Sequence, residues 1–450
     1  MRQLLRFRVP GDGSILSRLI QELPEIMATG LCKRDPGIMI YTGFPFHLNE
    51  AIMSSRIAAA LATVLTLPAV TALAQTKAPV AQFWMDVATN SMSIPGMGDM
   101  ESGEGAMFGG MFGGTKMGGG APGQWLDTAL YTRRKVSGTE GTHAIPLGLR
   151  MGNSLPLIPV AGGRSAEERE GGSEKPKGKL IFYWGCSDKV RPGQPRVVDF
   201  SRSSPDEWSR FMTGRFALDR GAKAVPGRSV WPNERDRQRV PNGASLAGEH
   251  AVSGEGVPAG LRFSLRDAYD FMPRISMSTS GDPKASVNVS WQSINAAQGY
   301  FLSAMGARGE EEMIVWSSSE LPDPGWGLID YVPPAQVRKL IGEKVVLAPS
   351  IQNCAIPAGI FGAVEGAMVR MIAYGPELDL AHPPRPANPK APWDPEWAVR
   401  VRIKSTGMTV LGMDEQGGGR RSSGRNQDAS PSQEIPGMGV GGVIKGILGF

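Results

Sequence analysis

Methionine is the residue type with the clearest chemical pattern in this sequence. Five methionines fall within the glycine-rich residues 93–123, which we predict to form a loop. Thioether sulfur is a soft ligand that favours Cu(I) and binds without deprotonation. The two closest pairs are Met97 with Met100, and Met107 with Met111. A copper(I) site at these four residues is one hypothesis, and a mobile apolar loop without metal is the other.

A second possible chemistry is nucleophilic hydrolysis at Ser245. Residues 243–247 read GASLA, which approaches the G-x-S-x-G elbow that presents a serine nucleophile. His250 follows closely and is the residue type that activates such a serine. The motif ends in alanine and no strand pattern precedes it, so an ordinary loop serine is the simpler interpretation. The sequence therefore predicts a protein without catalytic activity.

Residues 53–74 have the features of a secretory signal peptide. Arg56 forms the positive n-region, an uncharged apolar core follows, and a small-x-small pattern ends at Ala74. Cleavage is predicted between Ala74 and Gln75, and residues 1–52 are interpreted as an untranslated upstream extension. The apolar core is too short for a membrane span. We therefore expect an exported protein of the periplasm or cell surface, without a transmembrane segment after cleavage.

Export bears on how the cysteines and the net charge of the chain are interpreted. Cys186 and Cys354 are the cysteines of the mature chain, and in an oxidising compartment they are a candidate disulfide. The alternative is two unrelated buried thiols. The net charge is only +5, and no basic stripe with interleaved aromatic residues occurs, so nucleic acid is not an expected partner. The expected partner is an envelope protein or a glycan.

Composition predicts a mainly β fold. The chain holds 59 glycines and 36 prolines, which disfavour long helices and suit short strands joined by turns. We expect two β-sandwich-like lobes with long Gly/Pro-rich loops, a few short helices and a disordered C-terminal tail. The predicted divisions are a first lobe at 75–270 with a charged linker at 162–178, a second lobe at 271–375, a proline-rich connector plus strand at 376–414, and a low-complexity tail at 415–450.

A five-residue repeat flanks the methionine-rich loop. Residues 84–88 read WMDVA and residues 125–129 read WLDTA, so both share tryptophan, aspartate and alanine at the same spacing. Both copies have the aromatic and apolar density of strands. The repeat predicts two paired strands, joined by the loop at 93–123.

Charged and apolar residues alternate near the end of the predicted connector. The alternation runs through Val399, Arg400, Val401, Arg402, Ile403 and Lys404. Period two indicates a strand, and the sequence predicts that its charged side faces solvent. The preceding residues 375–396 contain seven prolines and are predicted to be extended and largely unpaired.

The most regular β pattern lies at residues 273–332. Residues 286–291 read SVNVSW, with Trp291 closing the strand, and an Ala-x-x-Tyr element from Ala297 to Tyr300 opens the next strand. In these features the segment resembles the second and third strands of a fibronectin type III domain. The resemblance implies a β-sandwich that acts as an interaction module or spacer rather than as an active site.

Three tryptophans in proline- and glycine-rich stretches are candidates for glycan stacking: Trp326, Trp393 and Trp397. The alternative is that each packs against its own loop, because tryptophan is usually largely buried. Taken together, the sequence predicts a structural or binding protein of the cell envelope that needs no cofactor. A periplasmic copper-handling protein and a serine hydrolase are the two alternatives.

Overall fold

The computed structural model describes residues 77–94, 98–99, 121–161 and 178–411, apart from residues 213, 218, 219, 365 and 389. Within them the protein is mainly β, which confirms the fold class predicted from composition. The strands are β1 (Ala81–Ile94), β2 (Gly98–Asp99), β3 (Gly123–Thr132), β4 (Gly141–Ala144), β5 (Ser154–Pro159), β6 (Lys179–Trp184), β7 (Arg196–Asp199), β8 (Ser229–Trp231), β9 (Gly248–Gly254), β10 (Arg262–Leu265), β11 (Met277–Gly281), β12 (Val287–Trp291), β13 (Gly299–Arg308), β14 (Glu312–Ser317), β15 (Asn353–Ile356), β16 (Ala367–His382) and β17 (Trp397–Leu411).

The described helices are short. Helix α1 spans Pro205–Met212 and α2 spans Pro334–Gly342, and three 3₁₀ turns lie at Leu147–Leu149, Asp267–Tyr269 and Trp326–Leu328. The start of α1 follows from its sequence, because the Ser204 hydroxyl accepts the Glu207 amide while the Glu207 carboxylate accepts the Ser204 amide.

Most strands belong to one large sheet. Its spatial order is β10-β9-β4-β5-β8-β3-β1-β17-β16-β13-β14-β6-β7, with β2 paired to β1, and a second sheet has the order β11-β12-β15. The long strands lie in the middle: β1 pairs with β17 in parallel and with β3 antiparallel, and β17 pairs antiparallel with β16.

The central strands β1 and β17 have two different faces. Their apolar face carries Phe83, Met85, Val87, Val399, Val401 and Ile403. These side chains share one core with residues of β5, β9 and β10 and of the smaller sheet. Their polar face carries Trp84, Asp86, Arg400, Arg402 and Lys404, since successive side chains of a strand point to opposite faces.

The large sheet runs across the boundaries that we predicted between lobes. Strand β6 of the first predicted lobe pairs with β14 of the second, and β1 pairs with β17 of the predicted connector. Residues 75–270, 271–375 and 376–411 therefore contribute strands to the same sheet. Local sequence patterns locate strands, but they do not specify which distant strand will supply the hydrogen bonds.

The prediction that residues 375–396 are largely unpaired is wrong for their first third. Strand β16 continues to His382 and pairs with β17 along its length. Pro376 is accommodated because the register shifts between Tyr374 and Glu377, which forms a bulge where a missing amide hydrogen is tolerated. Residues 383–396 then connect β16 to β17.

A disulfide joins the two sheets. Cys186 follows β6 of the large sheet and Cys354 lies in β15 of the small sheet, and their Cα atoms are 5.0 Å apart. The segment with the fibronectin-like pattern, residues 273–332, is also divided between the two sheets. It contributes β11 and β12 to the small sheet, and β13 and β14 to the large sheet.

Candidate functional site: a buried charged cluster and a tryptophan groove

The Trp-x-Asp-x-Ala repeat brings two carboxylates together. Strands β1 and β3 pair antiparallel, and their register places Asp86 opposite Asp127. Each tryptophan faces an alanine of the other copy: Trp84 with Ala129, and Trp125 with Ala88. Both aspartates are 0% exposed, so the repeat builds a pair of carboxylates inside the protein.

Arg402 holds one of these carboxylates. Register places Arg402 of β17 beside Asp86, and Arg402 Nε donates to Asp86 Oδ1 at 2.7 Å while Nη2 donates to Oδ2 at 2.5 Å. This two-pronged arrangement is the strongest form of an arginine–carboxylate pair. Burial acts to lower the pKa of Arg402, but the hydrogen bonds and charge of Asp86 outweigh it and the pKa is raised. Arg402 therefore stays charged.

Tyr331 lies against two buried cations. Its ring centroid is 4.4 Å from Arg402 Cζ and 4.5 Å from Lys404 Nζ. Burial, followed by the charge of Asp86, raises the pKa of Tyr331 well above its usual value. Its hydroxyl is buried and has no hydrogen-bond partner among the described residues. Lys404 is only 1% exposed, and burial lowers its pKa to about 8.

A strap of backbone, residues 214–217 and 220–228, covers this cluster. The Ala222 amide donates to Asp86 Oδ2 at 3.1 Å. Gly221 approaches so closely that an added Cβ would lie 1.6 Å from Arg402 Nη2, so only glycine fits there. Ion pairs fasten the strap: Arg215 binds Asp323 at 3.0 Å, and Arg220 binds Glu377.

The strap corrects one expectation. The charged side of the strand at 399–404 does not face solvent, since Arg402 is 2% exposed and Lys404 is 1% exposed. Alternation shows that two faces differ, but it does not show whether another segment covers the charged one. Charges that are removed from water cost free energy unless they are paired. Here Asp86 pairs with Arg402, and the Tyr331 ring lies against both Arg402 and Lys404.

Ser245, the candidate nucleophile of the hydrolase alternative, hydrogen-bonds to other groups. Ser245 Oγ donates to Asp270 Oδ2 at 2.5 Å, and the Leu246 amide donates to Oδ1 of the same aspartate at 2.8 Å. His250 Nε2 lies 2.8 Å from the carbonyl oxygen of Leu246. The structure thus brings Ser245 and His250 near one loop, but both side chains make other hydrogen bonds. No hydrogen bond joins them to each other in the described part of the chain.

His250 instead pairs with His143. His143 Nε2 and His250 Nδ1 are 3.0 Å apart, and both rings lie in the apolar core beside Phe83 and Phe263. Burial, and then the charge of His250, lowers the pKa of His143 well below 6.5, and burial also lowers that of His250. The two imidazoles are therefore neutral at pH 7, and one donates a hydrogen bond to the other.

The structure separates the three candidate glycan-stacking tryptophans. Trp397 is 7% exposed and stacks on His382 with a centroid distance of 5.7 Å, and Trp326 packs against a small apolar cluster around Phe182. Trp393, by contrast, lines a surface groove with a volume of about 660 Å³. Polar side chains share that groove: Gln82, Asp379, Arg385 and Arg400.

Two contacts hold Trp393 in this tryptophan groove. Its indole Nε1 donates to the carbonyl oxygen of Pro383 at 3.0 Å, and the Arg385 guanidinium lies over its ring at 5.6 Å. Arg400 Nε donates to Asp379 Oδ1 at 2.7 Å, which sets the polar wall. Arg385 has no ion pair among the described residues. The groove thus combines an indole, a fixed polar wall and a cation.

A second groove, of about 820 Å³, lies beyond β3. Trp125 and Trp231 line it, together with a loop at 232–238. Two of its polar side chains already have partners: Arg235 pairs with Glu140, and Asn233 donates to the carbonyl oxygens of Pro156 and Val230. It provides a comparison for the tryptophan groove.

Several predicted sites lie outside the described residues. They are the candidate copper ligands Met97, Met100, Met107 and Met111, the cleavage site at Ala74 and Gln75, and the segments 1–52, 53–74 and 415–450. Most of the loop at 93–123 and of the linker at 162–178 also lies there. No group of three or more His, Cys, Asp or Glu side chains that could hold a metal ion occurs among the residues described.

Comparison with protein-family models and with curated proteins finds no match to this chain. Among the described residues, none of the helices is both long enough and apolar enough to cross a membrane. The assignment of function therefore depends on the geometry of the two regions above.

Sequence reasoning missed most members of both regions. Tyr331, Asp379 and Arg385 carry no local motif, because they reach their sites from separate loops and strands. The repeat at 84–88 and 125–129 was the available signal for the cluster, since antiparallel pairing with each tryptophan opposite an alanine also places the two aspartates opposite each other.

Proposed function

We propose that the protein is an exported, non-catalytic binding protein of the cell envelope, and that a glycan occupies the tryptophan groove. The observation that supports this proposal is the combination of Trp393 with the polar side chains of Gln82, Asp379 and Arg385 in one groove. Binding sites of this kind are concave, largely apolar and equipped with a few placed polar groups.

The chemistry of the groove suits a sugar ring. One face of a pyranose presents C–H groups, which pack against an indole, while its hydroxyls need donors and acceptors in fixed positions. Asp379 and Arg400 hold one another at 2.7 Å, so the wall keeps its shape before a ligand arrives. A preorganised wall reduces the entropy lost on binding.

The groups that could do chemistry favour binding over catalysis. Ser245 donates its hydroxyl hydrogen to Asp270, and the buried histidines hydrogen-bond to each other. Lys404 has a lowered pKa, but it lines neither of the two grooves. A general base must come within hydrogen-bond reach of its substrate, so Lys404 is not placed to act on a ligand bound in either of these grooves.

The test is binding of the mature protein to purified cell-wall and capsular polysaccharides. Trp393→Ala should weaken binding at least tenfold, while Trp393→Phe should keep part of it by retaining an aromatic face. Trp125→Ala is the matched control, because Trp125 is a half-buried tryptophan that lines the other groove. Equal losses from Trp393→Ala and Trp125→Ala, or no loss from either, would refute the assignment to this groove.

Export is tested separately by the N-terminus. Protein recovered from the periplasm or medium should begin at Gln75, as the signal-peptide pattern of residues 53–74 predicts. A mature chain that retains any residue before Met53 would overturn the proposed start and the proposed signal peptide.

Copper handling is the alternative proposal, supported by the spacing of the methionine pairs. A Cu(I) titration against a competing chelator tests it without reference to the groove. Binding that disappears when Met97, Met100, Met107 and Met111 are changed to leucine would support a copper site. Absence of binding by the unaltered protein would exclude one.

A further inference from the structure

One lysine–carboxylate pair in the charged cluster is placed for covalent chemistry. Lys404 Nζ lies 3.9 Å from Asp330 Oδ1, with the lysine side chain 1% exposed and the aspartate side chain 29% exposed. We propose that these side chains join in an intramolecular isopeptide bond between Lys404 Nζ and Asp330 Cγ, with release of water. The protein would thereby be its own substrate in a single, self-catalysed reaction.

Both partners are held in position by backbone groups. Lys404 Nζ donates to the carbonyl oxygen of Ile329 at 3.4 Å, which keeps the nitrogen beside the residue that precedes Asp330. The Tyr331 amide donates to Asp330 Oδ1 at 2.7 Å. Because both contacts come from residues 329–331, the nucleophile and the acceptor share one frame. Such positioning replaces a bimolecular encounter and supplies much of the rate in intramolecular reactions.

The surroundings of Lys404 favour the neutral amine that amide formation needs. Lys404 is buried under the Tyr331 ring, whose centroid lies 4.5 Å from Nζ. Burial lowers the pKa of Lys404 to about 8, so a neutral amine is available near neutral pH. The carboxylate must accept a proton before it is attacked, and the Lys404 ammonium, 3.9 Å from Asp330 Oδ1, is positioned to donate it.

The reaction balances without any other reactant. A proton passes from Nζ to Asp330 Oδ2, and the amine then attacks Cγ. Oδ1 takes the negative charge and is stabilised by the Tyr331 amide, which acts as an oxyanion donor. A second proton moves from Nζ to Oδ2, the Cγ–Oδ2 bond breaks and water leaves. The partial exposure of Asp330 gives that water a route to solvent.

The bond would cross-link two parts of the chain that pack together but are otherwise joined only through the backbone. Lys404 lies in central strand β17, and Asp330 lies between the 3₁₀ turn at Trp326–Leu328 and helix α2. Closing the chain between them would restrict the unfolded state. An exported protein without access to cytoplasmic chaperones gains from such a cross-link.

Mass spectrometry of the purified, reduced mature protein tests the proposal directly. We expect an intact mass lower than the sequence mass by one water molecule, and a branched proteolytic peptide that joins Lys404 to Asp330. Linear peptides that contain an unmodified Lys404 in most molecules would overturn the proposal. So would a branched peptide in which Lys404 is joined to a different carboxylate.

Variants of Lys404 and Asp330 test whether these two side chains form the bond. Lys404→Arg and Asp330→Ala should both restore the full sequence mass. Asp330→Asn should form the same amide with loss of ammonia instead of water. Persistence of the water loss in Asp330→Ala would refute the assignment. Because the unaltered protein already gives a decisive mass, failure of a variant to fold leaves the test intact.

An exposed pair of the same geometry provides the internal control. Lys339 Nζ lies 3.8 Å from Glu343 Oε1, but the lysine side chain is 75% exposed. The two distances from Nζ to the carboxylate oxygen are therefore nearly equal, whereas the burial of the two lysine side chains differs. We expect no cross-link at Lys339. A cross-link there at the same yield would show that the buried environment of Lys404 is not what drives the reaction.

Discussion

Strands β1 and β17 bury side chains on both of their faces, yet the two faces are stabilised in different ways. The apolar face carries Met85, Val87 and Ile403, which need only neighbours of suitable shape. The polar face carries Asp86 and Arg402, which are equally inaccessible but depend on each other's charge. Even the polar groups behind the apolar face, His143 and His250, are uncharged partners.

This difference determines how each face responds to change. Removing a methyl group from an apolar core costs the transfer free energy of that group plus a cavity term. Removing one member of a buried ion pair leaves the other charge desolvated, which costs considerably more. The comparison therefore predicts a steep gradient of effects across a single pair of strands.

The largest effect is expected from Arg402→Met, which keeps much of the side-chain volume and removes the guanidinium from Asp86. We expect the free energy of unfolding to fall by about 3–5 kcal/mol, measured by urea denaturation. The double variant Asp86→Leu with Arg402→Met is the control. It should lose less than Arg402→Met alone, because no uncompensated carboxylate is left. An additive double variant would contradict this account of the polar face.

A smaller effect is expected where the strap meets the ion pair. In Gly221→Ala, the new Cβ would lie 1.6 Å from Arg402 Nη2 and 2.2 Å from Asp86 Oδ2. The strap or the pair must shift, at a cost of roughly 1–3 kcal/mol of unfolding free energy. Gly260→Ala serves as the control, because open space surrounds that position. Equal melting temperatures for the two variants would contradict the close approach of the strap.

Ile403→Val tests the contribution of the apolar face to stability, at the position next to Arg402 in β17. Ile403 is 3% exposed and loses one methylene group, so we expect a loss of about 0.5–1.5 kcal/mol in the free energy of unfolding. The same denaturation experiment provides the value. A loss as large as that of Arg402→Met would show that the two faces do not differ as proposed.

The smallest and most gradual effect is expected from pH. Burial lowers the pKa values of His143 and His250 in the folded state, so the unfolded chain binds more protons below its own pKa of about 6.5. Stability should therefore fall as pH decreases from about 6.5 to 5. The double variant His143→Leu with His250→Phe should show a shallower dependence over that range. An unchanged slope would place the acid sensitivity elsewhere.

Local features of the sequence were sufficient to locate many elements. SVNVSW predicted β12, and the alternation at residues 399–404 predicted part of β17. Each prediction depends on a pattern within a few residues, because successive side chains of a strand point to opposite faces. The paired strands at the two copies of the repeat were predicted for the same reason.

The candidate sites were less accessible to sequence reasoning. Trp393 was one of three equivalent tryptophans, and only its position beside Asp379 and Arg385 distinguishes it. Ser245 and His250 looked like possible catalytic partners because they are close in the chain. Their hydrogen bonds to Asp270 and His143 come from other segments, which no local motif specifies.

By itself, the sequence determined the β character of this protein, the alternation at residues 399–404 and the presence of two paired strands at the copies of the repeat. Tertiary structure alone decided that the charges of Arg402 and Lys404 are buried. The contact between Asp86 and Arg402 spans 316 residues of chain, and the strap that covers them arrives from a third region. Whether a face is buried depends on the segments that pack on it, and the residue pattern of the strand itself does not specify those segments.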